Sequence, residues 1–206
     1  MPHLRPYRSA DRDRVAEICV RTALAGDDAT GVLSDDAIWP AIFVLPYVDR
    51  HPEFAFVVDD ERHGVVGYIV AAPDTRDFEQ WFRAVWWPAH GAAWPKPTAE
   101  VTREDGVLIY AYGRGPGVEP YGDRYPAHLH IDLMPEAQGQ GWGRRLIDAL
   151  AGALRDAGVN GLHLVAAVDN VRALAFYRRL GLVELESHPG VQAFALPLDA
   201  RASTPA

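Results

Sequence analysis

Two short stretches of this sequence hold residue types that could do chemistry. Gln138-Gly139-Gln140-Gly141-Trp142-Gly143 is a glycine-rich run, and His128-x-His130-x-Asp132 places titratable side chains at alternate positions just ahead of it. Glycines free a backbone to turn its N–H groups toward one point, and a helix that follows adds the positive end of its dipole. A turn of this kind cradles a pyrophosphate, with the dipole contributing about 0.3–1 kcal/mol per surface contact. Arg144 and Arg145 would bring further positive charge. The dinucleotide fingerprint fits worse, because it wants a third glycine where Arg144 stands, and the nucleoside-triphosphate loop wants a lysine that is not near. The alternative is an ordinary tight turn between a strand and a helix.

On a strand, His128, His130 and Asp132 share one face. Histidine titrates near neutrality, so either ring suits a general base. Both could instead be core histidines satisfied by hydrogen bonds. A metal site would need further ligands to converge on this single line of side chains, and no metal is expected.

These residues need elements to position them. A strand His128 to Leu133 runs into the glycine turn, and a helix Trp142 to Ala157 leaves it, closed by Gly158. A strand Leu162 to Val168, a helix Val171 to Leu180 closed by Gly181, and a hairpin of Leu182 to Glu186 with Val191 to Leu196 complete the second half. In the first half, Leu4 to Tyr7 reads as an edge strand and Asp11 opens an amphipathic helix that ends before Gly26. A helix from Ser34, as N-cap, toward Tyr47 comes next, with boundaries blurred by Pro40 and Pro46. Phe54 to Val58 and Val65 to Ala71 pair as strands. Phe78, Trp81, Phe82, Val85, Trp86 and Trp87 have helical spacing, and the proline- and glycine-rich region Pro88 to Pro126 reads as loop, most plainly at Gly113 to Gly117. This order implies an α/β (α+β) fold with a mixed sheet and helices on both faces.

Composition sets the outer bounds. The chain has 206 residues, 49% hydrophobic and 23% charged, enough for a real core. Its net charge of −8 argues against nucleic acid as a partner and suits a cationic one. No run is apolar and long enough to cross a bilayer, and the charged, proline-broken start Met1 to Pro6 does not read as a signal peptide. Cys19 is the single cysteine, which excludes an internal disulfide. A cytoplasmic protein, monomeric or homodimeric, is the expectation.

Gln138-x-x-Gly141-x-Gly143 resembles the pyrophosphate loop of the GNAT superfamily of acyl-CoA N-acyltransferases, and Leu133-Met134-Pro135-Glu136 is similar to the end of that family's splayed fourth strand. Asn170, Ala173, Phe176, Tyr177, Leu180, Gly181 and Leu182 stand at its second signature spacing. The run Tyr125 to Pro135 also resembles the acetyltransferase-like C-terminal domain of O-GlcNAcase. The resemblance implies one GNAT domain over residues 1–198, an insertion at about 74–126 where the family keeps a short connection, and a flexible tail over 199–206.

The resemblance also implies acetyl-CoA as co-substrate and a primary amine as acceptor, with direct attack in a ternary complex. Leu133 and Met134 would offer backbone groups to the pantetheine arm and the acetyl oxygen, beside Pro135. Gln138, Gly139, Gln140, Gly141, Trp142, Gly143 and Arg144 would hold the pyrophosphate. Asn170 would contact the pantetheine or cap its helix, and Phe176 would line the cofactor. Tyr177 would protonate the departing thiolate, or else simply pack on the sheet. A lysine-like amine must lose a proton at a cost of roughly 4.6 kcal/mol at neutral pH. The base is His128 or His130, on the face shared with Asp132. Trp81, Trp86, Trp87 and Trp94 would shape the acceptor groove or fill a core, with Tyr110, Tyr112, Tyr121 and Tyr125 lining the groove. The second resemblance leaves an alternative, a module that binds acetyl-CoA without catalysing transfer.

Overall fold

A computed structural model describes residues 1–198. The tail expected at 199–206 lies outside the described residues. The strands are β1 (His3–Pro6), β2 (Ala55–Asp60), β3 (Gly64–Ala72), β4 (Ala127–Leu133), β5 (Gly161–Ala167), β6 (Val183–Leu185) and β7 (Val191–Pro197). They form one seven-stranded mixed sheet in the order β1-β2-β3-β4-β5-β7-β6. β3 is buried from Val65 to Ala72 because it lies inside the sheet with both faces covered.

The β4–β5 pair is parallel, and its neighbours are antiparallel. It registers only at Ala127↔Leu162 and His128↔His163. Beyond that point β4 and β5 diverge, which is the splayed fourth strand expected from the sequence.

Strand alternation sends His128, His130 and Asp132 to one face, where α1 (Arg12–Thr22), α2 (Ile38–Phe43) and α3 (Leu45–Arg50) pack. Leu133 points to the other face, toward α7 (Trp142–Asp156). That helix buries Leu146, Ile147, Leu150, Ala151 and Leu154 at three- and four-residue spacing. Gly158 ends it at φ +78°. The helix α8 (Val171–Arg179) returns to the face of α1, where Arg172 reaches Asp27 at 3.1 Å.

The first half departs from expectation in two places. The single helix expected from Ser34 is broken into α2 and α3 at Val44, whose φ of −137° is not helical, with Pro46 restarting the chain. Ser34 is no cap; its N–H and hydroxyl both donate to Glu104. The aromatic helix runs as α4 (Thr75–Trp81), a π-helical turn Phe82–Trp86 and α5 (Trp87–His90). The region read as loop contains α6 (Arg103–Gly113), begun by a reciprocal cap between Thr102 and Asp105. Phe78, Phe82, Trp86, Trp87, Leu108 and Ala111 join the same buried cluster as the sheet, so the tryptophans of this region include core filling.

Candidate functional site

Gly139 and Gly141 take φ of +72° and +81°, conformations that cost an ordinary residue about 1–2 kcal/mol. Gly141 is the N-cap of α7 and no side chain caps the helix, so the first amides have no partner within it. The first bond of the ladder runs from the Arg145 N–H to the Gly141 carbonyl. Gln138 and Gln140 turn back, donating to the carbonyls of Leu133 at 2.9 Å and Glu136 at 2.5 Å. Arg144 is exposed, and Arg145 lies over the Trp142 ring, 4.6 Å from its centroid.

Gly143 also has a packing reason to lack a side chain. A Cβ at this position would come within 2.8 Å of the Phe176 ring on α8. Gly143→Ala is therefore expected to destabilise the fold by about 1–3 kcal/mol and to lower Tm by several degrees. A melting curve unchanged from the parent would show that the two helices are not in contact.

The fork between β4 and β5 exposes backbone in the middle of the sheet. The Met134 N–H donates to the Val66 carbonyl at 2.9 Å, so Val66 and Met134 form a hydrogen-bonded pair. Alternation along an antiparallel ladder then turns the amides of Ile131 and Leu133 away from β3, toward the gap. The amide of Met134, one of the backbone groups expected from the sequence, is engaged by Val66, and the amides turned to the gap are those of Leu133 and Ile131. Counting back two residues from Leu133 along the strand would have found Ile131. Pro135 ends β4 and starts a short 3-10 turn, Pro135–Ala137.

Tyr177 is buried beside Phe176 and Phe194, with ring centroids 5.2 and 5.3 Å away. Burial, and then the charge of Asp132, raise its pKa well above that of an ordinary phenol and keep it protonated. Its hydroxyl has no hydrogen-bond partner among the described residues. The Asn170 side chain accepts from the Ala173 N–H at 3.0 Å as the N-cap of α8.

The histidine face is a closed polar cluster. The Tyr47 hydroxyl bridges Nε2 of His128 at 2.8 Å and Nε2 of His130 at 3.1 Å. Thr75 Oγ1 meets Nδ1 of His128 at 2.9 Å. Arg114 donates to the Tyr47 oxygen at 3.2 Å, to the Ile42 carbonyl at 3.1 Å and to Glu79 at 2.7 Å. Burial foremost, then the Arg114 cation, push His128 well below the usual range and His130 down to about 3, so both rings are neutral. Asp132 accepts from the Tyr68 hydroxyl at 2.5 Å, and burial raises its pKa. His128 and His130 thus share Tyr47 while Asp132 turns to Tyr68, and no metal-binding group of His, Cys, Asp and Glu occurs among the described residues.

Tyr47, Thr75, Glu79 and Arg114 were missed by sequence reasoning, since no local spacing links them to the strand. Of the four tyrosines expected to line a groove, Tyr110 is exposed and stacks on Phe43 at 5.8 Å, and the edge of Phe43 meets the His130 ring at 5.5 Å. Tyr112 donates to the Trp94 carbonyl and Tyr121 to that of Glu186, while Tyr125 is buried.

An uncapped helix and a glycine turn stand beside a fork in the sheet, and a family model covering residues 24–182, described as the acetyltransferase (GNAT) family, matches this chain. The chain belongs to the GNAT acetyltransferase family. The crystal structure of SsHAT superposes on this acetyltransferase with a TM-score of 0.91 at 38% identity, covering 97% of this chain and 99% of that one. The protein O-GlcNAcase of Rattus norvegicus is 22% identical over 197 residues, 91% of this chain but 20% of that protein. The acetyltransferase therefore spans about a fifth of the length of that curated relative. The structure of yncA from Salmonella typhimurium, described as a putative acetyltransferase with its cofactor acetyl-CoA, shares the fold with a TM-score of 0.55 and 17% identity, covering 98% of this chain and 96% of that one. Among the described residues no helix is long and apolar enough to cross a membrane.

Proposed function

We propose that this acetyltransferase moves an acetyl group from acetyl-CoA to a primary amine by direct attack, with both substrates bound together. The observation that carries the reading is the fork beyond His128 and His163, with the amides of Ile131 and Leu133 turned into it beside the uncapped start of α7.

Acetyl-CoA supplies an activated thioester. The open amides of α7 and the turn at Gly139 and Gly141 hold the pyrophosphate, and Arg144 adds charge. The backbone of Ile131 and Leu133 receives the pantetheine arm and stabilises the charge that develops on the acyl oxygen. The Tyr177 hydroxyl, without a partner among the described residues, gives its proton to the departing thiolate. His130 takes the proton of the amine at Nδ1, because both nitrogens of His128 are already engaged. Phe43 and Tyr110 wall the approach to His130 on the exposed side. A reducing, cytoplasmic setting suits the lone buried thiol of Cys19.

Isothermal titration with acetyl-CoA, followed by thiol release against a panel of amines, tests the reading. Binding with release supports it, and no binding overturns it. Gly141→Ala is expected to weaken acetyl-CoA binding at least about tenfold, since the αL strain alone approaches 1–2 kcal/mol. Tyr177→Phe and His130→Ala are each expected to lower kcat about 10²–10⁴-fold with little change in the KM for acetyl-CoA. Unchanged turnover in either variant removes that residue from the mechanism.

A second reading, a module that binds acetyl-CoA without catalysis, draws on two observations. Burial holds His130 down to about 3 and makes it a weaker base than a free imidazole. The raised pKa of Tyr177 makes it a weaker acid than a free phenol. Binding without release against every amine would favour it.

A further inference from the structure

The cluster under His130 has a direction. Thr75 carries one hydroxyl proton and donates it to the Pro126 carbonyl at 2.7 Å, because a carbonyl can only accept. At Nδ1 of His128 the Thr75 oxygen must therefore accept, so that nitrogen bears the proton. His128 is neutral, which leaves Nε2 bare, and the Tyr47 hydroxyl donates to it. That uses the one proton of Tyr47. Its two lone pairs remain, and Arg114, which can only donate, takes one of them. The other must accept from His130, whose Nε2 therefore carries the proton. Nδ1 of His130 is left bare, with no partner among the described residues.

We propose that Thr75, His128 and Tyr47 form a one-way hydrogen-bond clamp, held between the Pro126 carbonyl and the Arg114 guanidinium, that locks His130 in its Nε2–H tautomer and keeps Nδ1 open for the proton of the amine. The proposal rests on the assignment of His130 as base. Thr75, Tyr47 and His128 are positioning residues, for they act through His130 alone. The clamp ends in a carbonyl that cannot pass a proton on, so it orients a base and does not conduct.

The order of donors has a consequence at a distance. If Thr75 loses its oxygen, nothing holds the proton on Nδ1 of His128. The ring is free to carry it on Nε2 and donate to Tyr47. Tyr47 must then donate to Nε2 of His130, and the proton of His130 moves to Nδ1, blocking the base. Every buried group except Nδ1 of His128 stays satisfied in the reversed arrangement, so little opposes it.

Proton–nitrogen correlation spectra of the imidazoles, recorded on the resting protein near neutral pH, test the clamp without any substrate. The expected result is His128 protonated at Nδ1 and His130 at Nε2. Protonation of His130 at Nδ1 overturns the proposal, and this spectrum decides even if no variant folds. Thr75→Val is expected to reverse both tautomers and to lower kcat at least about tenfold, with the KM for acetyl-CoA unchanged. Thr75→Ser, which keeps the oxygen, is expected to restore both. If Thr75→Val leaves tautomers and kcat as they were, the clamp does not position the base. The expected wild-type spectrum alongside a fully active His130→Ala would remove the base assignment while upholding the tautomers, so the two failures are separable.

Discussion

Arg114→Met is expected to be the most destabilising single change in this protein, costing about 3–5 kcal/mol. The guanidinium is 2% exposed and its partner Glu79 9%. It donates to both oxygens of Glu79, to Tyr47 and to the Ile42 carbonyl, and it lies 4.0 Å from the centre of the Phe82 ring. Removing it leaves a carboxylate, a carbonyl and a hydroxyl buried without their donor, and each orphan carries its own desolvation cost. Exposed pairs such as Arg76–Asp123 and Arg178–Glu184 are a control, because solvent screening and side-chain entropy leave them little net effect. Urea unfolding should show the midpoint of Arg114→Met fall sharply with its slope unchanged. The double change to methionine at Arg114 and Glu79 should recover much of the loss, since it removes the stranded charge along with its partner. A loss no greater than that of Arg178→Ala would mean that water reaches Glu79.

Mild acid should unfold the acetyltransferase well before its carboxylates titrate. Burial lowers the pKa values of His51, His128, His130 and His163, so each stays neutral in the folded state at a pH where the unfolded chain binds a proton. The unfolded state then holds more protons, and stability falls as pH falls below about 6.5, continuing for His130 down to about 3. At about pH 5 a histidine held neutral contributes a loss of about 2 kcal/mol, against a total stability of about 5–15 kcal/mol for a folded domain. Asp132 and Glu119, raised by burial, work in the opposite sense and offset part of the loss. Ion-paired carboxylates such as Asp11 and Glu17 have lowered pKa values and give up their share only at lower pH. Unfolding midpoints at neutral and mildly acidic pH measure the slope directly. A flat profile would mean that the histidines ionise within the fold.

What could be read in advance follows how local the physics is. Gly139, Gly141 and Gly143 stand out because a turn with positive φ and a helix packed without a Cβ leave no other residue type. Asn170 and Gly181 bracket α8 because caps are chemistry within a few residues. The helix α6 was hidden, since the signal of Thr102 with Asp105 sits among prolines and glycines that read as loop. The break at Val44 goes with Pro46, which was visible as a blurred boundary without fixing where the helix would part. Arg114 and Glu79 lie 35 positions apart, and Tyr47 meets His128 across 81, so neither spacing nor periodicity could join them. The histidines themselves were visible, but which nitrogen of which ring is open depends on Thr75, Tyr47 and Arg114. Ile131 was overlooked because its side chain says nothing about the direction of its amide.

The fork between β4 and β5 makes this an unfinished sheet. An outer strand with free amides invites a second protein to pair with it, and many folds guard their rims against that. Here the amides of Ile131 and Leu133 lie inside the sheet, facing the gap that opens where the pairing of β4 with β5 ends. An extended chain carrying amides of its own would match them, and pantetheine is such a chain. Acetyl-CoA would then be the missing strand as well as the donor, and the protein would complete its own architecture each time it loads the acetyl group.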